Sequence, residues 1–194
     1  MKKSHQTGVR HGLAAAAAGG LLAAAIVAAP AASAGEQGGA SGGPATIDMN
    51  FKRGTFSFSG AKQVAVGDDL RIRNNTDPRK VGPHTFTLIK RSLVPRTRKQ
   101  RRTCGKLQGI CAKVANAHQV NFRTGKVRRP LVKAGKPGWN KVFTSKANGD
   151  TWFTETKAET ITQSVSPSAA GKTLSYVCVI HPQMQGKIKV VAGE

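Results

Sequence analysis

Acidic side chains are scarce in this chain of 194 residues, which carries 9 Asp and Glu against 31 Lys and Arg and a net charge of +22 at pH 7. None occurs from Lys90 through Gly149. The sequence shows no paired-carboxylate motif for acid–base catalysis, no Ser/His/Asp grouping and no phosphate-binding glycine loop. The excess positive charge indicates attraction to anionic surfaces, such as acidic proteins, wall polymers or phospholipid headgroups.

Aromatic side chains are also few, at 5% of the residues, and they are not interleaved with the basic ones. Proteins that bind single-stranded nucleic acid stack bases on aromatic rings, so no nucleic-acid partner is expected. Two interpretations of the basic central stretch stay open: it docks a partner, or it is a solvated loop that keeps the protein in solution. Its densest part contains Arg96, Arg98, Lys99, Arg101, Arg102 and Lys106.

Residues 1–34 have the features of a secretory signal peptide: a positive start, an uncharged Ala- and Leu-rich stretch and a small-residue cleavage site ending at Ala34. The alternative is an uncleaved membrane anchor, because the apolar stretch is long enough to cross a bilayer. Residues 35–45 are predicted to form a flexible, Gly-rich linker. Residues 46–192 then have the length of one domain, which we expect outside the cytoplasm, secreted or periplasmic.

Cysteine is limited to three residues. Cys104 and Cys111 are close enough in sequence to close a small disulfide loop, and an oxidising compartment favours that bond. Cys178 is left over, and metal ligation would explain an unpaired cysteine in an exported protein. A competing interpretation makes Cys104, Cys111 and His118 a second metal site, but three ligands without a fourth at zinc-finger spacing are a weak signal.

The run Cys178-Val-Ile-His181-Pro-Gln-Met184 places a thiolate, an imidazole and a thioether in one short loop. A type 1, or blue, copper site takes two imidazoles and a thiolate in a plane, with a weak axial thioether. The second imidazole must come from elsewhere, since so short a loop cannot surround a metal. His84 is the best candidate, because it opens an alternating run through Ile89 that predicts a half-buried strand, with its ring facing the loop. Zinc competes for such a pocket but gains little from a thioether.

These features resemble the cupredoxin family, small blue-copper proteins of the plastocyanin, pseudoazurin and amicyanin kind. The resemblance covers residues 46–91 and 171–192, and it rests on the Gly67-Asp68 turn, the strand ending at Asn74-Asn75, the lone His84 and the run from Tyr176 to Met184. It implies an all-β, Greek-key β-sandwich. Between the matched blocks we predict a basic, loop-rich insertion at about residues 92–150, with a short helix around Ile110 to His118 and loops elsewhere.

The resemblance also implies one type 1 copper ion, bound by Cys178, His84 and His181 in the plane and by Met184 as the axial ligand. His181 is then expected to reach the surface in an apolar patch, bordered by Pro83 and Pro182, where it passes the electron. The family commonly has Asn or Ser after the first His, whereas this chain has Thr85. We expect backbone or side-chain groups of Thr85 to hydrogen-bond to the sulfur.

The main hypothesis is a monomeric one-electron carrier between redox proteins outside the cytoplasm, with its basic residues steering it toward acidic partners. A copper-delivery protein, or a cupredoxin-like module that binds anionic surfaces, is the alternative. An enzyme is not expected, because related oxidases pass electrons through His residues that flank the ligand Cys, and here the flanks are Val177 and Val179. The His residues after position 34 are His84, His118 and His181, too few for a further catalytic copper.

Overall fold

The structure is a computed structural model that describes residues 43–193. The predicted signal peptide and most of the predicted linker lie outside the described residues. The first strand begins at Ala45, which is the last residue of the predicted linker. Among residues 43–193 there is no helix with the length and apolar character that a membrane crossing requires.

Ten strands dominate the part of the chain that the structure describes. In chain order they are β1 (Ala45–Lys52), β2 (Thr55–Gly60), β3 (Gln63–Ala65), β4 (Asp69–Asn74), β5 (His84–Ile89), β6 (Leu131–Val132), β7 (Thr151–Thr154), β8 (Thr160–Ser164), β9 (Thr173–Val177) and β10 (Gln185–Val191). The helices are α1 (Pro78–Val81), α2 (Arg98–Gly105) and α3 (Ile110–Ala117), with 3-10 turns at Arg91–Leu93 and Pro167–Ala169.

The strands form two sheets, one with the order β2-β1-β4-β8 and the other with the order β3-β10-β9-β5-β7-β6. On β1 and β4, buried apolar side chains alternate with more exposed ones, and they meet those of the other sheet in the core. On β4, Leu70 and Ile72 are fully buried while Arg73 is exposed, and on β9 Leu174 and Tyr176 reach the same core from the other side. The predicted all-β sandwich is confirmed.

Strand β5 is buried on both faces, so the expectation that it is half-buried is wrong. Phe86 and Leu88 face the core between the sheets, whereas Ile89 faces outward into a second apolar cluster. That cluster exists because α2 and α3 cover the outer face of the six-stranded sheet. Its buried members are Ile89, Val94, Cys104, Cys111, Val114, Phe143, Val177 and Val179.

The inserted segment contains more regular structure than expected. Helix α3 lies where a short helix was predicted, but α2 replaces what was expected to be a loop. Thr97 caps the start of α2 with a capping box. Its hydroxyl accepts a hydrogen bond from the Gln100 backbone N–H, and the Gln100 side-chain oxygen accepts one from the Thr97 backbone N–H. This Thr-x-x-Gln spacing is a helix-start signal that the basic composition of the segment obscured.

A disulfide joins Cys104 of α2 to Cys111 of α3. Both cysteines are buried, at 2% and 0% exposure, against the outer face of the sheet. Because the two sulfurs bond to each other, the competing metal site of Cys104, Cys111 and His118 does not form. The disulfide therefore closes the small loop between the two helices and fixes α2 to α3 against the sheet.

Removing this disulfide should destabilise the protein. We expect the double substitution Cys104→Ala and Cys111→Ala to lower the free energy of unfolding by about 2–3 kcal/mol, because the short loop then gains freedom in the unfolded chain. Urea denaturation of the metal-free protein measures this change. The wild-type protein treated with a thiol reductant should behave like the variant, and an unchanged urea midpoint in both would contradict the expectation.

Candidate metal centre

The antiparallel register of three neighbouring strands assembles the site. Strands β9 and β10 pair with Val177 opposite Gln185, so residues 178–184 form the loop at the end of this hairpin. Strand β5 pairs with β9 in the antiparallel sense, with Thr87 opposite Val177. The start of β5 therefore lies beside the end of β9, and His84 comes next to the loop, as the sequence predicted.

Three donor atoms converge at this end of the sheet. His84 Nδ1 and His181 Nδ1 are 3.2 Å apart, and they lie 3.9 Å and 3.8 Å from Cys178 Sγ. A point equidistant from three atoms at these separations is about 2.1 Å from each, and bonds from N and S donors to a metal such as Zn²⁺ are about 2.0–2.3 Å long. The triangle therefore has the size that a metal ion needs at its centre.

The donors are shielded from water. His84, Cys178 and Met184 have 0% exposure, and His181 is half-buried. Met184 occupies the end of the loop, where its carbonyl accepts from the Cys178 amide at 3.0 Å and its amide donates to the His181 carbonyl at 2.8 Å. Among the His, Cys, Asp and Glu side chains of residues 43–193, those of His84, Cys178 and His181 form a group that could hold a metal ion. With Met184 they form a type 1 copper-like site.

Two backbone amides donate to the Cys178 sulfur: Thr85 N–H at 3.3 Å and His181 N–H at 3.4 Å. Such bonds favour a thiolate over a thiol and restrict where the sulfur can move. The Thr85 side chain acts differently from its backbone, since its Oγ1 accepts from the Val179 amide at 2.9 Å. Thr85 thus ties β5 to the loop through both its backbone and its hydroxyl.

Burial controls the protonation of the donors. It raises the pKa of the Cys178 thiol, against the effect of the backbone hydrogen bonds. Burial, with a smaller contribution from His181, lowers the pKa of His84 to about 4, and burial also lowers the pKa of His181. Both imidazoles are therefore neutral and able to ligate near pH 7, while the thiolate needs a cation beside it to become stable.

The second nitrogen of His84, Nε2, is buried and has no hydrogen-bond partner among the residues described. Metal-binding imidazoles usually donate this second N–H to an oxygen. In this chain the ring is held instead by its position at the start of β5 and by aromatic packing. Phe56 contacts it edge-on, with ring centroids 5.6 Å apart.

Phe56 is a component of the site that sequence reasoning missed. Its ring stacks on His181 with centroids 3.8 Å apart and an interplanar angle of 22°. Phe51, which is 41% exposed, packs against Phe56 with the ring centroids 4.6 Å apart. Phe56 belongs to β2, in the sheet that carries none of the donors, and nothing in the local alternation Thr55-Phe56-Ser57-Phe58 marks it as a neighbour of the loop.

The surroundings of His181 correct one expectation. Pro182 is buried, and its carbonyl accepts from the Gln185 side chain at 2.6 Å, so it does not border a surface patch. Pro83 is half-buried. The Phe56 ring therefore supplies apolar surface beside His181 that Pro182 does not, whereas the position expected for Pro83 is not contradicted.

Comparisons with known proteins give matches among solved structures alone, since no family model and no curated protein matches the chain. A mutant of amicyanin with Cu(I) is 12% identical, with 76% of this chain and 81% of that chain covered and a TM-score of 0.34. Auracyanin A, a "blue" copper protein from the green thermophilic photosynthetic bacterium Chloroflexus aurantiacus, is 19% identical, with 76% and 99% covered and a TM-score of 0.33.

A multi-copper oxidase from Pediococcus acidilactici is 10% identical, and the match covers 80% of this chain and 28% of that chain with a TM-score of 0.38. The sandwich and the donor geometry of this chain are independent of those matches. The two-sheet sandwich and its His-Cys-His-Met group are consistent with a cupredoxin.

Proposed function

We propose that this protein binds one copper ion through His84, Cys178, His181 and Met184 and carries single electrons between redox proteins outside the cytoplasm. The observation that carries the proposal is the triangle of two imidazole nitrogens and one sulfur with sides of 3.2–3.9 Å. Thiolate, imidazole and thioether together suit copper better than zinc. Copper held by these residues would supply a one-electron Cu(I)/Cu(II) couple.

The chain supports electron transfer by holding its donors still. His84 and Cys178 sit at the ends of paired strands, and Thr85 hydrogen-bonds both the sulfur and the next residue of the loop. Small movement on a change of oxidation state means a small reorganisation energy. His181 is the half-buried donor, and its ring stacks on Phe56, which in turn packs against the exposed Phe51, so we assign His181 as the point where the electron enters and leaves.

Burial favours a carrier over a copper-delivery protein. A delivery site needs exposed donors that exchange the ion with a partner, whereas His84, Cys178 and Met184 are fully buried. Met49, the other methionine of residues 43–193, is a fully buried member of the core between the sheets and is therefore not part of an exchangeable cluster.

The same geometry supports a carrier that is not an enzyme. Val177 and Val179 flank the ligand Cys178 and are packed in the outer apolar cluster, where imidazoles of an oxidase would conduct electrons onward. His118 bonds to the Arg129 carbonyl and to Thr151 and lies outside the donor triangle. No second copper site is proposed.

Adding one equivalent of Cu(II) to the metal-free protein should produce an intense blue colour from charge transfer between thiolate and copper. The variant Cys178→Ser should stay colourless, because an alkoxide does not replace the thiolate. Visible absorption spectroscopy measures the band, and circular dichroism shows whether the variant is folded. A blue Cys178→Ser protein would contradict the assignment of the sulfur ligand.

Two buried methionines provide a matched control for this test. Met184→Leu should change the band and raise the reduction potential by roughly 60 mV or more, a tenfold change in equilibrium constant for a one-electron couple, because loss of the thioether disfavours Cu(II). Met49→Leu should leave both unchanged. Equal behaviour of the two variants in voltammetry would remove Met184 from the ligand set.

Copper binding should also release protons in a defined number. At pH 7.5 we expect about one proton per Cu(II), because burial keeps Cys178 a thiol while the lowered pKa values of His84 and His181 leave both rings neutral. The affinity should therefore weaken about tenfold per unit of pH as the solution is acidified from pH 8 to pH 7. Titration in weakly buffered solution counts the protons, and a release near zero or near three would contradict the expected protonation states.

The basic insertion gives the carrier a docking surface for acidic partners. The disulfide sulfur of Cys104 lies 3.5 Å from the Val179 carbonyl oxygen, so α2 rests directly on the metal-binding loop. The Gln185 side chain bridges the start of the insertion and the loop, since it donates to the carbonyls of Pro95 and Pro182. Charges on α2 are thus held beside the site, where they can steer an anionic partner toward it.

Electron transfer with small ions of known charge tests this docking surface. Oxidation of the reduced copper protein by anionic hexacyanoferrate(III) should slow by about tenfold from 10 mM to 500 mM salt, whereas oxidation by cationic tris(phenanthroline)cobalt(III) should not. Neutralising three exposed residues of α2 should remove most of this salt dependence. The α2 variant is Lys99→Gln, Arg101→Gln and Arg102→Gln.

A control variant removes the same charge at the opposite end of the β9–β10 hairpin. Lys62, Lys172 and Lys189 are exposed there, and Lys189 lies opposite Thr173, at the end of β9 that is remote from the loop. Replacing these three lysines with Gln should leave the salt dependence largely intact, as measured by stopped-flow absorbance. The same loss of salt dependence in both variants would show that net charge, not α2, attracts the anion.

A further inference from the structure

Three threonine hydroxyls form a hydrogen-bonded row on the outer face of the six-stranded sheet. Thr87 of β5 lies opposite Thr151 of β7, and their Oγ1 atoms are 2.7 Å apart. Thr87 Oγ1 is also 3.1 Å from Thr85 Oγ1. Since a hydroxyl can donate one hydrogen bond and accept others, such a row can be continuous.

One end of the row is His118. Its Nε2 lies 3.0 Å from Thr151 Oγ1, and its Nδ1 donates to the Arg129 carbonyl, an oxygen that only accepts, over 2.6 Å. His118 directly follows the last residue of α3, so it belongs to the insertion. Both ring nitrogens have hydrogen-bond partners, so the ring is held in one orientation. Nε2 therefore has a fixed position relative to the Thr151 hydroxyl.

The other end of the row is the metal-binding loop. Thr85 Oγ1 accepts from the Val179 amide at 2.9 Å, and the Thr85 amide donates to Cys178 Sγ at 3.3 Å. Val179 directly follows the donor Cys178 in the chain. The row therefore runs from His118, a side chain of the insertion, to Thr85. The Thr85 hydroxyl holds the Val179 amide, and the Thr85 backbone amide holds the sulfur.

Water cannot replace any member of this row. Thr87 and Thr151 are 0% exposed, and Thr85 and His118 are 1% exposed, because the insertion covers this face of the sheet. A buried hydroxyl that loses its partner costs free energy, and bonded hydroxyls polarise their neighbours. Loss of a hydrogen bond at the His118 end should therefore alter the hydrogen bonds at the Thr85 end. Loss of an isolated buried bond would affect its own partners alone.

We propose that His118 is a positioning residue for the metal centre, acting through the hydroxyls of Thr151, Thr87 and Thr85 on the Val179 amide and the Cys178 sulfur. His118 belongs to the inserted segment and does not contact Cys178. The inserted segment thereby influences the position of the sulfur from a distance. The consequence for copper rests on the proposed function, but the constraint on the loop exists in the metal-free protein as well.

The first test uses metal-free protein and the substitution Thr151→Val, which nearly keeps the shape of the side chain but removes the hydroxyl that joins His118 to Thr87. Exchange of the Val179 amide hydrogen, followed by nuclear magnetic resonance, should become about fivefold faster, while the remote Val66 amide, bonded to the Val191 carbonyl, should not change. Thr151→Ser keeps the hydroxyl and should restore slow exchange. If Thr151→Val does not fold, Thr87→Val breaks the same row.

The second test uses the copper-loaded protein. Thr151→Val should shift the thiolate-to-copper absorption band, and Thr151→Ser should return it to the wild-type position. Thr76→Val is the control for a lost buried hydroxyl, because Thr76 bonds to Asn74 and not to the row, and it should leave the band unchanged. A Thr151→Val protein that is less stable but has unchanged Val179 exchange and an unchanged band would overturn the proposal. Absence of any blue band in the wild type would refute the copper assignment alone, since the exchange test does not require metal.

Discussion

The pairing register of β5, β9 and β10 is the constraint on which the site depends. Antiparallel pairing places the start of β5 against the end of β9, and this alone brings His84 to Cys178 across more than ninety residues of chain. Side chains alternate between the two faces of a strand, so a slip of one residue would turn His84 to the outer face and bring Thr85 into its place. The buried Phe86 and Leu88 oppose that slip, because it would also remove them from the core.

The insertion shields the outer face of the six-stranded sheet from water. In a two-sheet sandwich the outer face of each sheet meets water, and polar side chains there are hydrated. Here α2 and α3 cover that face, so Thr87 and Thr151 must satisfy each other and His118 completes the arrangement. The same covering segment brings a strongly basic helix to rest on Val179. One segment of chain thus buries the threonines, supplies the positive charge and contacts the donor loop.

The metal centre could be predicted from sequence because most of its information is local. The spacing of Cys178, His181 and Met184 sits in one loop, and few other histidines compete with His84. What could not be predicted depends on contacts between segments far apart in the chain. Phe56 reaches His181 from the opposite sheet, and the burial of Thr87 follows from how the insertion folds. Helix α2 was missed for another reason: its run of basic residues lacks an apolar stripe, and a capping box and a disulfide stabilise it instead.

The stacking of Phe56 on His181 makes the centre a joint property of both layers of the sandwich. Every donor lies on a strand of the six-stranded sheet or in the loop between two of its strands, but the ring that covers the most accessible donor is contributed by the other sheet. Any expansion that separates the layers, whether thermal or driven by a chaotrope, would uncover the His181 imidazole before the three donors part from one another. Loss of the ion would then begin at its solvent side, as an early step that precedes cooperative melting of the strands.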